Sequence, residues 1–174
     1  ALCQRTHPAY LDFRDRHYIS NSGCHGQQLH YLIMIDGQLH GILSGASAVY
    51  GVKSRDEFFG IAKERELRHA QLSSIVCNVV YRLENAPRNA ATQVLALWRK
   101  QIAADWETLY QVKVAGFETF VIEGSHDDRE RVCTDRHRTG ALYRADNWEM
   151  LGVTAGNTKV HSTAASSGGM GAAH

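Results

Sequence analysis

The sequence has little excess charge of either sign. Its 174 residues carry 19 Lys plus Arg against 18 Asp plus Glu, a formal net charge of +1. Proteins that hold nucleic acid by bulk electrostatics usually have a pI above about 9, so that class is excluded, although a local basic groove is not. Long hydrophobic runs are also missing. The longest purely apolar stretch, Tyr31 to Ile35, is far below the roughly 18 residues that span a bilayer, and no membrane partner is expected. Cysteines are few, and no two of Cys3, Cys24, Cys77 and Cys133 lie at C-x-x-C spacing. That argues against a zinc ribbon or a thioredoxin-like motif. A chain of this size needs no disulfides to build a core, and we expect a reducing, cytoplasmic compartment. Neither G-x-G-x-x-G nor a Walker loop is present, so the nucleotide folds built on them have no support. No basic segment followed by an apolar one opens the chain, so no secretory signal is expected, and the missing initiator Met points to processing or trimming.

What is present suffices for a core. The hydrophobic fraction is 44%, with 3 Trp, 7 Tyr and 5 Phe, which excludes disorder for most of the chain. The basic residues are mostly Arg, a bias toward bidentate phosphate or carboxylate contacts. The length fits one domain, residues 1–161, followed by a Ser/Ala/Gly-rich tail, residues 162–174, expected to be flexible.

Pattern along the chain predicts a short helix over Pro8–Arg16 and strands over Leu29–Ile35 and Gln38–Ser47, joined by an Asp36-Gly37 hairpin turn. Gly41 and Gly45 mark bends or close backbone approach. Ala48–Arg68 has no clear periodicity, and its charged run Lys63–Arg68 reads as a solvated face. Leu72–Leu83 is the strongest strand candidate. A helix follows from Arg88, with Asn89 as N-cap and Val94, Trp98, Ile102 and Trp106 as an apolar stripe. Phe117–Ile122 reads as a strand, and Thr139–Leu151 as a helix closed by Gly152, with a short strand after it. The fold class is α/β, with a mixed, mostly antiparallel sheet flanked by helices, and strand, helix and strand form a βαβ unit.

Five places can carry chemistry. Where the long strand gives way to the helix, from Ser73 through Thr92, backbone N–H groups and a positive helix end converge between Arg82 and Arg88. A pyrophosphate-bearing cofactor such as coenzyme A would fit there, but so would an ordinary capped helix. His17 beside Tyr18 pairs a base with a phenol. The Cys133/His137 pair, four apart, could ligate zinc or iron, although the spacings match no standard zinc signature. Glu118 and Glu123 sit on and just past a strand, where carboxylates often face a crevice; a loop of solvated acids is the plainer reading. Tyr143 and Trp148 share a Gly-terminated helix, Trp148 as a core residue and Tyr143 within reach of a cofactor or substrate.

The run from Tyr143 through Asn147-Trp148 to Leu151-Gly152, with Thr154 and Gly156, resembles the terminal signature of the DruA-like family. That family includes a protein of Druantia anti-phage systems and many mobile-element proteins. His17-Tyr18, the hairpin through Gly41, Ala96-Leu97 with Asp105-Trp106, and Phe117–Val121 resemble the same family. Leu72-Ser73 and Ala86–Ala90 also resemble the phage Mom family, which modifies adenine in DNA and so blocks restriction. Both look like variants of the Gcn5-related N-acetyltransferase fold. The resemblance implies an N-acetyltransferase-like fold, in which a long strand and the next helix N-terminus hold acetyl-CoA or a related acyl donor. It implies that His17 and Tyr18 are catalytic, or metal-linked through iron or zinc. Ser73, Arg88 and Asn89 would lie near the cofactor, and Glu123 would stand about where an aspartate does in Mom-like proteins. The Gln/Arg-x-x-Gly-x-Gly/Ala loop of ordinary acetyltransferases is absent.

These readings combine into an enzyme that modifies the N6 amino group of adenine in phage or mobile-element DNA, with the base flipped or the site distorted. His17, Tyr18, Glu123 and Tyr143 would be catalytic, and Arg129, Arg131, Arg136 and Arg138 would contact the phosphates of double-stranded DNA. Asp127, Asp128, Glu130 and Asp135 interleave with those arginines and could neutralise them. A homodimer is compatible with the reading. The alternatives are a non-catalytic DNA-binding or assembly component of a defence or transposition system, and an acetyltransferase for small amines or proteins.

Overall fold

The computed structural model describes residues 1–17, 26–121 and 139–154. The elements run β1 (Leu2–Cys3), α1 (Pro8–Asp15), β2 (Gln28–Ile35), β3 (Gln38–Ser47), α2 (Lys53–Phe59), α3 (Arg65–Ser73), β4 (Ile75–Leu83), α4 (Ala90–Tyr110), β5 (Gly116–Thr119) and α5 (Ala141–Ala145). The strands form one sheet in the order β1-β2-β3-β4-β5. Every pair is antiparallel except β4 with β5, which run parallel through the α4 crossover. This is the expected α/β class with a mixed sheet flanked by helices.

The local causes are legible. His7 Nδ1 accepts from Ala9 N–H at 3.2 Å and Pro8 opens α1 without a wasted donor. Asp36 and Gly37 both take positive φ, as the two-residue hairpin requires. Gly41 faces the Arg82 carbonyl so closely that a Cβ would stand 2.0 Å from its oxygen. In α4, Leu95, Trp98, Ile102 and Trp106 are buried against Leu29, Tyr31, Ile33, Leu43 and Val76. Each such side chain contributes roughly 1.5–3 kcal/mol. Tyr10 and Phe13 of α1 pack on Ile42 and Val80 across the opposite face.

Several expectations are corrected. The charged run is exposed from Lys63 to Leu67, as a solvated face would be, and it also starts a helix that was not expected: Glu64 accepts from the N–H groups of Glu66 and Leu67, and α3 runs on to Ser73. The long strand therefore begins at Ile75, and Leu72 and Ser73 are helical. Ala48–Arg68 holds α2 and the start of α3. Asn89 occupies the N-cap position of α4, but with φ 65° and no side-chain cap bond. Leu95 rather than Val94 completes the buried stripe, because the inward face of α4 follows i, i+3 as well as i, i+4. The strand after α4 spans only Gly116–Thr119. The last helix is a short turn, Ala141–Ala145, because Asn147 turns left-handed and Trp148 N–H returns to the Tyr143 carbonyl at 2.9 Å. Gly152 lies well beyond its end, and among the described residues no strand follows it. The 162–174 tail lies outside the described residues.

Candidate functional site

β4 and β5 pair from Ile75–Gly116 to Asn78–Thr119, and there β5 stops. β4 continues to Leu83 on β3 alone. At the same point the β3–β4 register shifts: Ser44 faces Val80 while Gly45 faces Asn78, leaving Val79 as an extra residue on β4. Val79 and Val80 both pack toward the α1 layer, and alternation resumes with Tyr81 toward α4. Such a bulge re-aims side chains and increases local twist. The two strands thus fork, and the fork holds a cleft of about 30 Å³ lined by His17, Asn78, Val79, Tyr81, Thr119, Phe120 and Tyr143.

Asn78 organises the fork. It is buried, its Nδ2 donates to the carbonyls of Ser44 (3.0 Å) and Val80 (3.1 Å), and its Oδ1 accepts from the Tyr143 hydroxyl at 2.7 Å. Its backbone carbonyl accepts from Thr119 Oγ1 at 3.1 Å. Tyr81 donates to the Ala91 carbonyl at 2.7 Å, which ties the cleft wall to the first turn of α4. Burial, then the proximity of Tyr143 and Asp146, push the Tyr81 phenol well above its usual range, so it stays protonated. Tyr143 is steadied by edge packing on Trp148, centroids 5.2 Å apart, and Trp148 Nε1 donates to Asp146 at 2.8 Å.

Of the residues singled out from sequence, His17 and Tyr143 are brought together. His17, just past α1, is buried at 3% exposure, and both line the cleft from chain positions far apart. Ser73 is not with them. Its hydroxyl donates to the Ala70 carbonyl at the end of α3, and its own carbonyl accepts from Trp106 Nε1, at the start of β4. Arg88 and Asn89 are exposed beyond the other end of β4, so the three expected cofactor contacts do not share one spot. Arg82 is held by Glu84 and the Arg16 carbonyl. Glu118 is a structural acid: buried, it receives Arg55 Nη1 at 2.6 Å. Burial raises its pKa, and the facing guanidinium only partly offsets this. Tyr18, Glu123, Arg129, Arg131, Arg136, Arg138 and the Cys133/His137 pair lie outside the described residues. Among the described residues no group of three or more His, Cys, Asp or Glu converges as a metal site.

A family model described as Druantia protein DruA matches residues 4–172. The chain belongs to the DruA family. No curated protein and no solved structure matches it. The family match covers the whole cleft and extends into the Ser/Ala/Gly-rich segment. Asn78, Thr119 and Phe120, which sequence reasoning did not single out, thus belong to the matched region. Asn78 had a signal: it is the one polar residue in the run Ile75–Tyr81, and a buried amide in a strand needs partners.

Among the described residues no helix is long and apolar enough to cross a membrane.

Proposed function

We propose that the chain is a component of a Druantia-type defence system that acts as an N-acetyltransferase-like, Mom-like enzyme on the N6 amino group of adenine in DNA. The observation that carries this reading is the fork of β4 and β5, with a buried histidine and a tyrosine on its walls. A fork between parallel strands gives a ligand access to the middle of a sheet, where bound groups are shielded from water. An acyl donor of the coenzyme A type is compatible with two features. No side chain caps the first turn of α4, and the exposed Arg88 stands beside it, so an anionic group finds N–H donors and a guanidinium together. The Tyr81–Ala91 bond links that turn to the cleft. When bound, such a donor supplies an electrophilic carbonyl. In this reading the amine would gain the acyl group as the carbon–sulfur bond of the donor breaks, His17 would take the proton that the amine releases and pass it to the departing thiol, and Tyr143 would orient the amine. Double-stranded DNA is the partner, in cytoplasm, and a second copy of the chain is allowed. Arg129, Arg131, Arg136 and Arg138 would meet the phosphates, and Tyr18 and Glu123 would complete the catalytic set. Iron or zinc at His17 and Tyr18 belongs to the same proposal.

The test is mass spectrometry of nucleosides from a plasmid co-expressed with the chain. A heavier adenine should appear, and His17→Ala should abolish it while the variant stays folded by circular dichroism. Unmodified adenine from the wild-type chain would refute the reading. The narrowness of the cleft favours a second reading, a DNA-binding or assembly role without catalysis. That role would show DNA retention with no modified nucleoside.

A further inference from the structure

A buried polar cluster lies under α1, outside the cleft. The Tyr10 hydroxyl stands 2.8 Å from Ser44 Oγ, and His30 Nδ1 stands 2.9 Å from that same oxygen and 3.1 Å from the Tyr10 hydroxyl. The rings of Tyr10 and His30 meet edge-on, with centroids 4.9 Å apart. All three residues are buried, Ser44 completely. Ser44 also serves the other wall of the cleft. Its backbone carbonyl accepts from Asn78 Nδ2, and Asn78 Oδ1 accepts from the Tyr143 hydroxyl. It does so where the β3–β4 register shifts.

α1 needs such an anchor. It has only eight residues, and its buried apolar residues are Tyr10 and Phe13. Apolar packing has no direction, so it holds a short helix down without fixing its slide or rotation. A hydrogen bond does fix them, because it weakens steeply with distance and angle. The setting reaches the cleft directly. His17 N–H donates to the Arg14 carbonyl at 3.1 Å, so His17 leaves α1 as a continuation of its last turn. A second tether holds the same end: Arg82 donates to the Arg16 carbonyl, and Arg16 donates to Glu84. The Arg16 side chain is 40% exposed, and water competes for exposed ion pairs. At Ser44 water has no access.

We infer that Ser44 is a positioning residue that sets the two walls of the cleft against each other. Its hydroxyl, with Tyr10 and His30, fixes α1 and through it His17. Its carbonyl fixes Asn78 and through it Tyr143. This rests on the reading above that His17 and Tyr143 work in one site. The spacing of that pair is then set by one position of β3 rather than by what enters the cleft.

The experiment uses Tyr10→Phe in the full chain, which removes one oxygen and keeps the ring. In the carbon–proton NMR spectrum of the histidine rings, the His17 signal, identified by its loss in His17→Gln, should move toward its position in urea. The Trp106 indole N–H, buried on the other face and bonded to the Ser73 carbonyl, should stay in place. Ile42→Val thins the packing under α1 and touches no hydroxyl, so it should leave both signals unmoved. A purely structural role would make the two variants act alike or move Trp106 as well, and either result would overturn the inference. So would an unmoved His17 in Tyr10→Phe. A His17 moved by Glu84→Gln instead would give the role to the exposed ion pairs and also overturn it. If Tyr10→Phe does not fold, Ser44→Ala serves, with the same expected results. In the plasmid assay Tyr10→Phe should lower the heavier adenine at least about tenfold, since a misplacement of about 1 Å can cost roughly 100-fold; a wild-type yield from it would refute the positioning. A moved His17 signal, in a chain whose wild type makes no heavier adenine, would remove the transfer reaction and keep the positioning.

Discussion

His30 is a neutral histidine held in the interior. Its Nδ1 lies 2.9 Å from Ser44 Oγ and 3.1 Å from the Tyr10 hydroxyl, and Nε2 is buried with no hydrogen-bond partner among the described residues. Burial first, then the positive charges of Arg5 and Arg14, lower its pKa to about 4 from 6.5. The unfolded chain therefore binds one proton more than the folded chain between those values. Stability is full above pH 6.5 and falls as pH drops toward 4, by roughly 3 kcal/mol in all. Urea midpoints at pH 7 and pH 4.5 should differ more for the wild-type chain than for His30→Gln. The Arg55–Glu118 pair behaves differently because both partners are buried. Asp56 joins it: burial raises its pKa, but hydrogen bonds from Arg68 and Arg55 outweigh that and leave it low. Arg55→Leu should cost about 3–5 kcal/mol in chemical denaturation, and Arg55→Leu/Glu118→Leu should recover most of it. At this scale the sequence was informative where a residue broke its context. Asn78 interrupts an apolar run, and Tyr143 sits in a distinctive motif. Ser73 was misread because its helix was taken for strand.

The elements divide by how strongly their periods show. The hairpin and α4 were legible, since two-residue turn chemistry and a long apolar stripe leave few alternatives. α2 and α3 were not, because only Arg55 in α2 and Leu72 in α3 are buried and no stripe forms. The bulge at Val79 was also hidden. It appears only as two successive valines facing one side, and a continuous apolar run cannot show which way each residue points. The glycines read as close approaches hold up. At Gly45 a Cβ would meet Ile102 at 2.4 Å and Val76 at 2.7 Å. Gly45→Ala should cost about 1–3 kcal/mol as α4 is pushed off the sheet. Gly41→Ala should cost at least as much, because its Cβ meets rigid backbone rather than side-chain ends. Thermal unfolding of the two variants checks both values.

Over the whole molecule, near-neutral charge is matched by internal pairing. Arg16, Arg55, Arg68, Arg82 and Arg99 each hold a carboxylate. Steep salt dependence of DNA binding would therefore have to come from elsewhere, and Arg129, Arg131, Arg136 and Arg138 are the proposed source. Replacing all four with Ala should flatten the plot of log affinity against log salt by about 0.9 per lost phosphate contact. An unchanged slope would move the DNA contact to another surface. The α/β class and the sheet flanked by helices were legible at this scale, whereas the fork depends on where β5 ends, and strand ends are poorly marked in sequence. The tryptophans add an optical asymmetry. All three, Trp98, Trp106 and Trp148, pack into the α4 side of the sheet, while α1 and its partners contribute only tyrosine and phenylalanine. Intrinsic emission excited at the red edge will thus watch one layer of the protein and be blind to the other. A loosening of α1 would leave that signal unchanged, and a probe placed on Leu11 would be needed to see it.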